Sequence, residues 1–494
     1  MVANKGRFWG LVVGLTLAGR AAPLEGQPDR PALRRAREII ELINTGTPAA
    51  IRAYADSAYH ESMREPNELQ SDLGLEGDVL GFFLKHRELA SKLAYLGFDA
   101  ARPTHQAIVD VRAQLTGLGS RLVVVVEKLA PYRIVGLGEQ NRKVAAGAAP
   151  AGRIPSDRAL AVESERLVSL IAKADQFSGM ALLAKDGRVL FQRAYGLADR
   201  AAGIPNRVTT RFEVASVTKV FTAVAVARLA EAGQLSYQDT LSKFLPGFPT
   251  PAASRQIQLK HLLTHTAGLD DFVGRDTTER RSHLFRTVGQ LMKFAEVDSL
   301  LFAPGTDWNY SNLGYITLGR IIELVSHQDY FEYLARQVFA PAGMSHTDFP
   351  ELDRVPLGLA RGYEPEYTAG GAKKYRERFG EGVRGGPHGG AYSTAEDLLR
   401  FVTALQGGRL VKAETLAILT SAKPDLKSPE WGYGFQVDPM AGTFGHTGGV
   451  PGGSSSVDIF GTSGYVLILL ANGGIGQRDN LRFELGQLVM RRRA

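Results

Sequence analysis

The sequence predicts a two-domain protein of mixed α/β (α+β) class, whose larger domain holds one antiparallel sheet built from both of its ends plus a helical insertion. Three observations carry this. Strand patterning occurs at 179–195 and again at 432–471, at opposite ends of one region. Between them lie stretches of helical spacing, the most apolar of them at 220–230. Ahead of both, residues 30–139 read as helices followed by a β meander, and a small Pro- and Gly-containing stretch at 140–158, without periodicity, reads as a linker.

In order along the chain, Leu33, Ala36, Ile39, Ile40 and Ile43 recur at helical spacing and predict a helix over 32–44. Further helices are expected at 48–63 and 81–96, then strands at 105–115, 121–128 and 132–137. Helices followed by a meander make residues 30–139 a small α+β domain, and their order resembles NTF2-like (SnoaL-like) domains. After the linker, the domain of residues 159–494 opens on an amphipathic helix marked by Leu160, Leu167, Leu170, Ile171 and Ala174. Strands at 179–185 and 188–195 flank Asp186 and Gly187, the pair expected of a tight hairpin. A helix over 316–325 and a charged surface loop over 361–381 are expected in the middle. Strands follow at 432–437, 443–446, 454–460 and 465–471, and a last helix carries Leu481, Leu485 and Leu488 on one face.

Composition narrows the function. The 494 residues are 44% hydrophobic and 22% charged, as in ordinary globular proteins, and suffice for two domains with sizeable cores. The net charge of +7 is spread out, with a basic run only at Arg491, Arg492 and Arg493, so no nucleic-acid partner is expected. Residues 1–22 read as a signal peptide: Lys5 and Arg7 precede an apolar run at 8–18, and the small Ala21 and Ala22 follow. The expectation is an exported protein, periplasmic or secreted, with no stable membrane span after cleavage. Without cysteine there is no disulfide, thiolate metal site or cysteine lipid anchor.

The stretch at 220–230 is apolar on nearly every side, with Arg228 the exception, which predicts a buried helix. Its first turn carries Ser216 and Lys219, a hydroxyl and an amine on one helix face. A serine hydroxyl is a weak nucleophile and needs a nearby base. Two further signals accompany it. Tyr310, Ser311 and Asn312 lie in a turn-rich loop ahead of a helix, and His446, Thr447 and Gly448 end a predicted strand, followed by Gly449 and a glycine-rich turn.

These three boxes resemble those of the penicillin-recognising serine hydrolases: β-lactamases, D,D-peptidases and their esterase relatives. The resemblance extends to 257–269, similar to the "HLLTHTSGL" segment of class C-type members, and to 318–323, 341–344 and 389–398. It covers about 160–492. It implies a beta-lactamase-like fold and an acyl-enzyme at Ser216, with Lys219 and Tyr310 as catalytic partners, either one the general base. Asn312 then holds Lys219 or the substrate, and the oxyanion donors are the N–H groups of Ser216 and Gly449. No cofactor and no metal are implied. The partner is a small-molecule or peptide substrate; the oligomeric state is left open. His446 stands where many members carry lysine, and histidine supplies a cation only when protonated. That favours esters, amides or small peptides over carboxylate-bearing antibiotics. The alternative is a penicillin-binding-type sensor that acylates without efficient turnover. His261 and His265 sit four apart, but Leu262 replaces the glutamate of helical zinc motifs, so both are read as structural. Residues 382–390 are expected as a loop rimming the cleft, with neither His388 nor Tyr392 expected to reach substrate, and Trp308 and Tyr315 are expected in packing.

Overall fold

The computed structural model describes residues 30–60, 83, 92–99, 102–113, 119–141, 153–270, 285–293, 299–351, 353, 358–368, 370–378 and 383–493. It divides into two compact units, Met1–Arg153 with Ala369–Gly371, and Ile154–Thr368 with Ala372–Ala494.

In the first unit, helices α1 (Pro31–Thr45) and α2 (Pro48–Ala58) each begin on proline, whose missing N–H would be unpaired there anyway. The predicted stripe of Leu33, Ala36, Ile39, Ile40 and Ile43 is buried. It packs on a sheet of β1 (Leu93–Phe98), β2 (Gln106–Ala113), β3 (Gly119–Val126) and β4 (Ile134–Asn141), joined in sequence order. Every pairing is antiparallel.

Two expectations fail here. The helix expected over 81–96 ends in strand: Leu93 pairs with Ala113, so long-range pairing overrides local helical spacing. Residues 84–91 lie outside the described residues. The helix expected over 48–63 stops at Ala58, because Tyr59 turns extended and bridges Ile134.

The second unit contains α3 (Asp157–Lys173), β5 (Gly179–Lys185), β6 (Arg188–Tyr195), α4 (Thr218–Glu231), α5 (Asn312–Ser326), α6 (Ala395–Gln406), β7 (Gln436–Asp438), β8 (Thr443–Val450), β9 (Gly453–Phe460), β10 (Tyr465–Ala471) and α7 (Ile475–Arg493). Its six-stranded sheet has the order β7-β8-β9-β10-β5-β6. Strands from the two ends meet where β10 pairs antiparallel with β5, Ile468 opposite Leu182. The fold is thus the expected antiparallel sheet with helices between its halves. Asp186 and Gly187 both take positive φ, 49° and 77°, as the tight hairpin turn between β5 and β6 requires.

The period of two divides the sheet's buried residues between two faces. Met180, Leu182, Ala184, Val466, Ile468 and Leu470 join one large core with α4, α5 and α6. Ala181, Leu183, Leu467 and Leu469 are equally buried but belong to the opposite face, which α3 and α7 cover. Helix α4 is buried along nearly its whole length, from Thr218 to Leu229. Among the described residues no helix is long and apolar enough to cross a membrane.

Four boundaries differ from the sequence reading. The strand expected at 443–446 continues to Val450, because pairing with β9 holds the glycines extended. The strand expected at 432–437 begins only at Gln436, since Gly434 takes a φ of 85° against α4. Helix α5 starts early, at Asn312, with the Ser311 side chain capping the Gly314 N–H at 3.2 Å. The loop expected over 361–381 contains a hairpin, Gly362–Tyr367 with Lys373–Arg378.

Candidate active site

Ser216 lies in a 3-10 turn, Ala215–Val217, which runs directly into α4. The residue before it, Ala215, takes a φ of 45°, a left-handed conformation that costs a non-glycine residue about 1–2 kcal/mol. The surroundings enforce it. Val214 N–H donates to the Ala391 carbonyl at 2.8 Å, and the Ser455 hydroxyl of β9 donates to the Val214 carbonyl at 2.7 Å. Strain of this kind persists where packing over-determines the backbone. It points Ser216 out of the core, half-buried, while its neighbours Ala215 and Val217 are buried.

The Ser216 Oγ meets both predicted partners. Lys219 Nζ is 3.1 Å away, and the Tyr310 hydroxyl donates to Oγ at 2.9 Å. Lys219 is fully buried and also donates to Asn312 Oδ1 at 2.7 Å and to the His388 carbonyl at 2.6 Å. Because those two oxygens can only accept, the third position on Nζ faces Ser216. It holds a hydrogen in the ammonium and a lone pair in the amine. Nζ lies 4.8 Å from the Tyr310 ring centre and 5.4 Å from that of Tyr315, within cation–π range of both.

The third box sits on the sheet beside the nucleophile. Gly448 approaches the turn so closely that a Cβ there would stand 2.4 Å from the Val214 carbonyl oxygen and 3.0 Å from Ser216 N. Only glycine fits. Strand β7 pairs β8 only over Thr443–Gly445, and past that point the Gln436 side chain takes over. Its Oε1 accepts from Thr447 N–H at 3.1 Å and its Nε2 donates to Thr447 Oγ1 at 3.2 Å. The strand's period of two therefore puts the Gly449 N–H on the same outer edge as that of Thr447, and Gly449 is exposed.

His446 is 2% exposed and edge-on to Trp431 at 5.3 Å. Its Nδ1 lies 2.5 Å from the Thr447 carbonyl, which can only accept, so Nδ1 carries the hydrogen and Nε2 a lone pair. Burial, and then the charge of Lys219, push its pKa down to about 3. The imidazole is neutral at physiological pH, so His446 supplies no cation to the site.

All eight sequence-predicted residues fall within this one region. Sequence reasoning missed its second layer. His265, read as structural, stacks on Tyr310 with ring centres 4.4 Å apart, and its Nδ1 accepts from Ser311 N–H at 3.1 Å. Its pKa is held well below 6.5 by burial and by Lys219. His261 points elsewhere and accepts from Gln258 N–H at 3.1 Å, so the two imidazoles do not converge. Trp308 and Trp431 add to the aromatic wall around Tyr310, at 6.5 and 5.9 Å between ring centres. His388 enters through its backbone carbonyl, and Tyr392 is buried in a short ribbon with Phe212–Glu213. The spacing of His261 and His265 was visible in the sequence; the partners of each were not. No sequence signal marked Gln436 or the carbonyl of His388, which act through long-range geometry.

Residues 165–490 match the family model described as Beta-lactamase. The chain is 30% identical over 329 residues to the putative penicillin-binding protein PbpX of Bacillus subtilis (strain 168), covering 66% of this chain and 79% of that one. It is 32% identical over 338 residues to Esterase EstB of Burkholderia gladioli, covering 59% of this chain and 85% of the other. Among solved structures, a penicillin binding protein from Bacillus halodurans superposes with a TM-score of 0.56 at 30% identity, over 64% of this chain and 98% of that chain.

Proposed function

The chain belongs to the beta-lactamase family of serine hydrolases, and from that premise we propose that it hydrolyses uncharged esters, amides or small peptides through an acyl-enzyme at Ser216. One observation carries the assignment of residues: Ser216 Oγ lies within hydrogen-bond reach of both Lys219 and Tyr310. In this reading Oγ attacks the substrate carbonyl carbon and its proton passes to the Lys219–Tyr310 pair. Tyr310 returns a proton to the leaving group as the acyl–oxygen or acyl–nitrogen bond breaks. Water then attacks the ester on Ser216, the same pair taking its proton; the acyl–Oγ bond breaks, the pair returns that proton to Oγ, and the acid leaves. The tetrahedral oxyanion is received by the N–H groups of Ser216 and Gly449. Asn312 keeps Lys219 aimed at Oγ.

Two features support uncharged substrates. His446 is neutral, so no fixed positive charge at that position receives a carboxylate. Trp308, 38% exposed, and the rings behind it offer an apolar, aromatic wall beside the nucleophile. We further propose that residues 1–22 direct export and that the first unit folds as a separate domain.

The test is Ser216→Ala assayed on a p-nitrophenyl ester. Hydrolysis is expected to fall by at least about 10³-fold, towards the residual catalysis left by binding and oxyanion donors alone. Unchanged hydrolysis would refute the assignment. A parallel panel of a short-chain ester, a chromogenic cephalosporin and a D-Ala-D-Ala peptide is expected to rank the ester first.

A further inference from the structure

Arg478, in the first turn of α7, is 5% exposed. Its Nη1 donates to two carbonyls on facing strands: Gly448 of β8 at 2.5 Å and Ser455 of β9 at 2.9 Å. Those two residues are register partners. The rest of the guanidinium is held by Asp479 Oδ1, which accepts from Nε at 2.9 Å and from Nη2 at 2.5 Å. The charge is thus buried, paired and aimed.

The Gly448 oxygen belongs to the same peptide unit as the Gly449 nitrogen. That unit is planar and trans, so its C=O and N–H point in opposite directions. A guanidinium gripping the oxygen from the β9 side fixes the direction of the N–H on the open edge of β8. A cation on the oxygen also polarises the amide and strengthens its N–H as a donor, as in hydrogen-bonded chains. The flanking glycines have no side chains to fix this peptide plane, and Gly448 cannot acquire one without striking Val214. Pairing with β9 sets the strand, and Arg478 adds a direct hold on this peptide's oxygen.

We propose that Arg478 is a positioning residue of the acyl-transfer site, orienting and polarising the Gly448–Gly449 peptide whose N–H receives the oxyanion. It rests on the reading of Gly449 N–H as an oxyanion donor, and it adds a group that lies outside the three sequence boxes but grips the third. Arg478 touches neither substrate nor nucleophile. It acts on the tetrahedral species through one backbone amide.

The experiment compares the full chain with Arg478→Met and Arg478→Lys on p-nitrophenyl acetate. It also measures inhibition by phenylboronic acid, which forms a tetrahedral anionic adduct on a serine. Removing a whole oxyanion donor costs about 10²–10³ in kcat, so disorienting one is expected to cost Arg478→Met about 10–100-fold in kcat with KM little changed. The boronate Ki should rise by a similar factor. Arg478→Lys keeps the charge but not the fork and should fall between. It carries the test if the methionine variant does not fold. Folded variants with wild-type kcat would overturn the proposal. So would a loss of kcat with an unchanged boronate Ki, the signature of a structural tie alone. Ser216→Ala is run alongside: if it still hydrolyses the ester, the underlying reading has failed, not merely the role of Arg478.

Discussion

In the proposed reading, His446 is the residue whose chemistry most directly selects the substrate. Buried against Trp431 and within the field of Lys219, it would have to accept a second positive charge in a dry space to be protonated, and its pKa falls to about 3 instead. A lysine there, with a far higher intrinsic pKa, resists neutralisation better and would offer a charge-assisted hydrogen bond worth about 1.5–3 kcal/mol to a carboxylate. The kcat/KM ratio for a carboxylate-bearing over a neutral ester is therefore expected to rise about 10–100-fold in His446→Lys. A ratio that does not move would mean that carboxylate preference is set elsewhere. That Ser216, Lys219 and Tyr310 come together was legible in the sequence, because the chemistry proposed for them restricts which side chains can take part. The neutrality of His446 was only half legible: its type admits either charge state, and burial decides.

At the scale of elements, α4 is the platform. A helix apolar all round has no solvent face, and α4 is enclosed by α5, the helical segments 330–339 and 413–420, and the segment 387–391. Phe221 is fully buried and meets Phe339 and Phe401 edge-to-face at 5.2 and 4.9 Å. Phe221→Ala is expected to cost about 3–5 kcal/mol in urea unfolding, as for aromatic truncations that leave a cavity. A loss below about 1 kcal/mol would contradict the packing described for this helix. The exception in its pattern, Arg228, donates to the Leu410 carbonyl at 2.5 Å, so even its polar position ties the helix to a neighbour.

Strands and helices with strong periodicity were legible, the β5–β6 hairpin residue for residue. The failures share a cause. The strand at 93–98 and the extension of β8 through its glycines are both held by pairing with distant partners. Local patterning does not encode such partners.

For the whole molecule, the buried imidazoles make stability depend on pH. His261 is pushed down to about 4, His388 and His446 to about 3, and His265 well below 6.5, in each case chiefly by burial. The unfolded chain therefore takes up these protons first as pH falls below about 6.5, while the folded chain does not. Their contribution is fully present above pH 6.5 and is lost as pH falls towards their folded values, by on the order of 1 kcal/mol per pH unit for each proton. Glu484, pushed up to about 7 by burial, works in the opposite sense, one group against four. Urea midpoints are expected to decline below about pH 6.5, and less steeply in His446→Gln. A midpoint that is flat down to pH 4.5 would contradict the burial of these rings. The split between the two units falls at Arg153 and Ile154, inside the stretch 140–158 that lacks periodicity. Strand β4 nevertheless runs to Asn141, past the predicted start of the linker, because its partner β3 carries the pairing on to Ser120.

The proposed chemistry requires a covalent bond at Ser216. The most direct measurement is mass spectrometry of the full chain, acid-quenched during turnover of a p-nitrophenyl ester and digested. The expected result is one acyl group on the peptide carrying Ser216, absent from Ser216→Ala and lost on further incubation as the acid is released. An acyl group on another peptide, or turnover with no adduct under any quench, would contradict it.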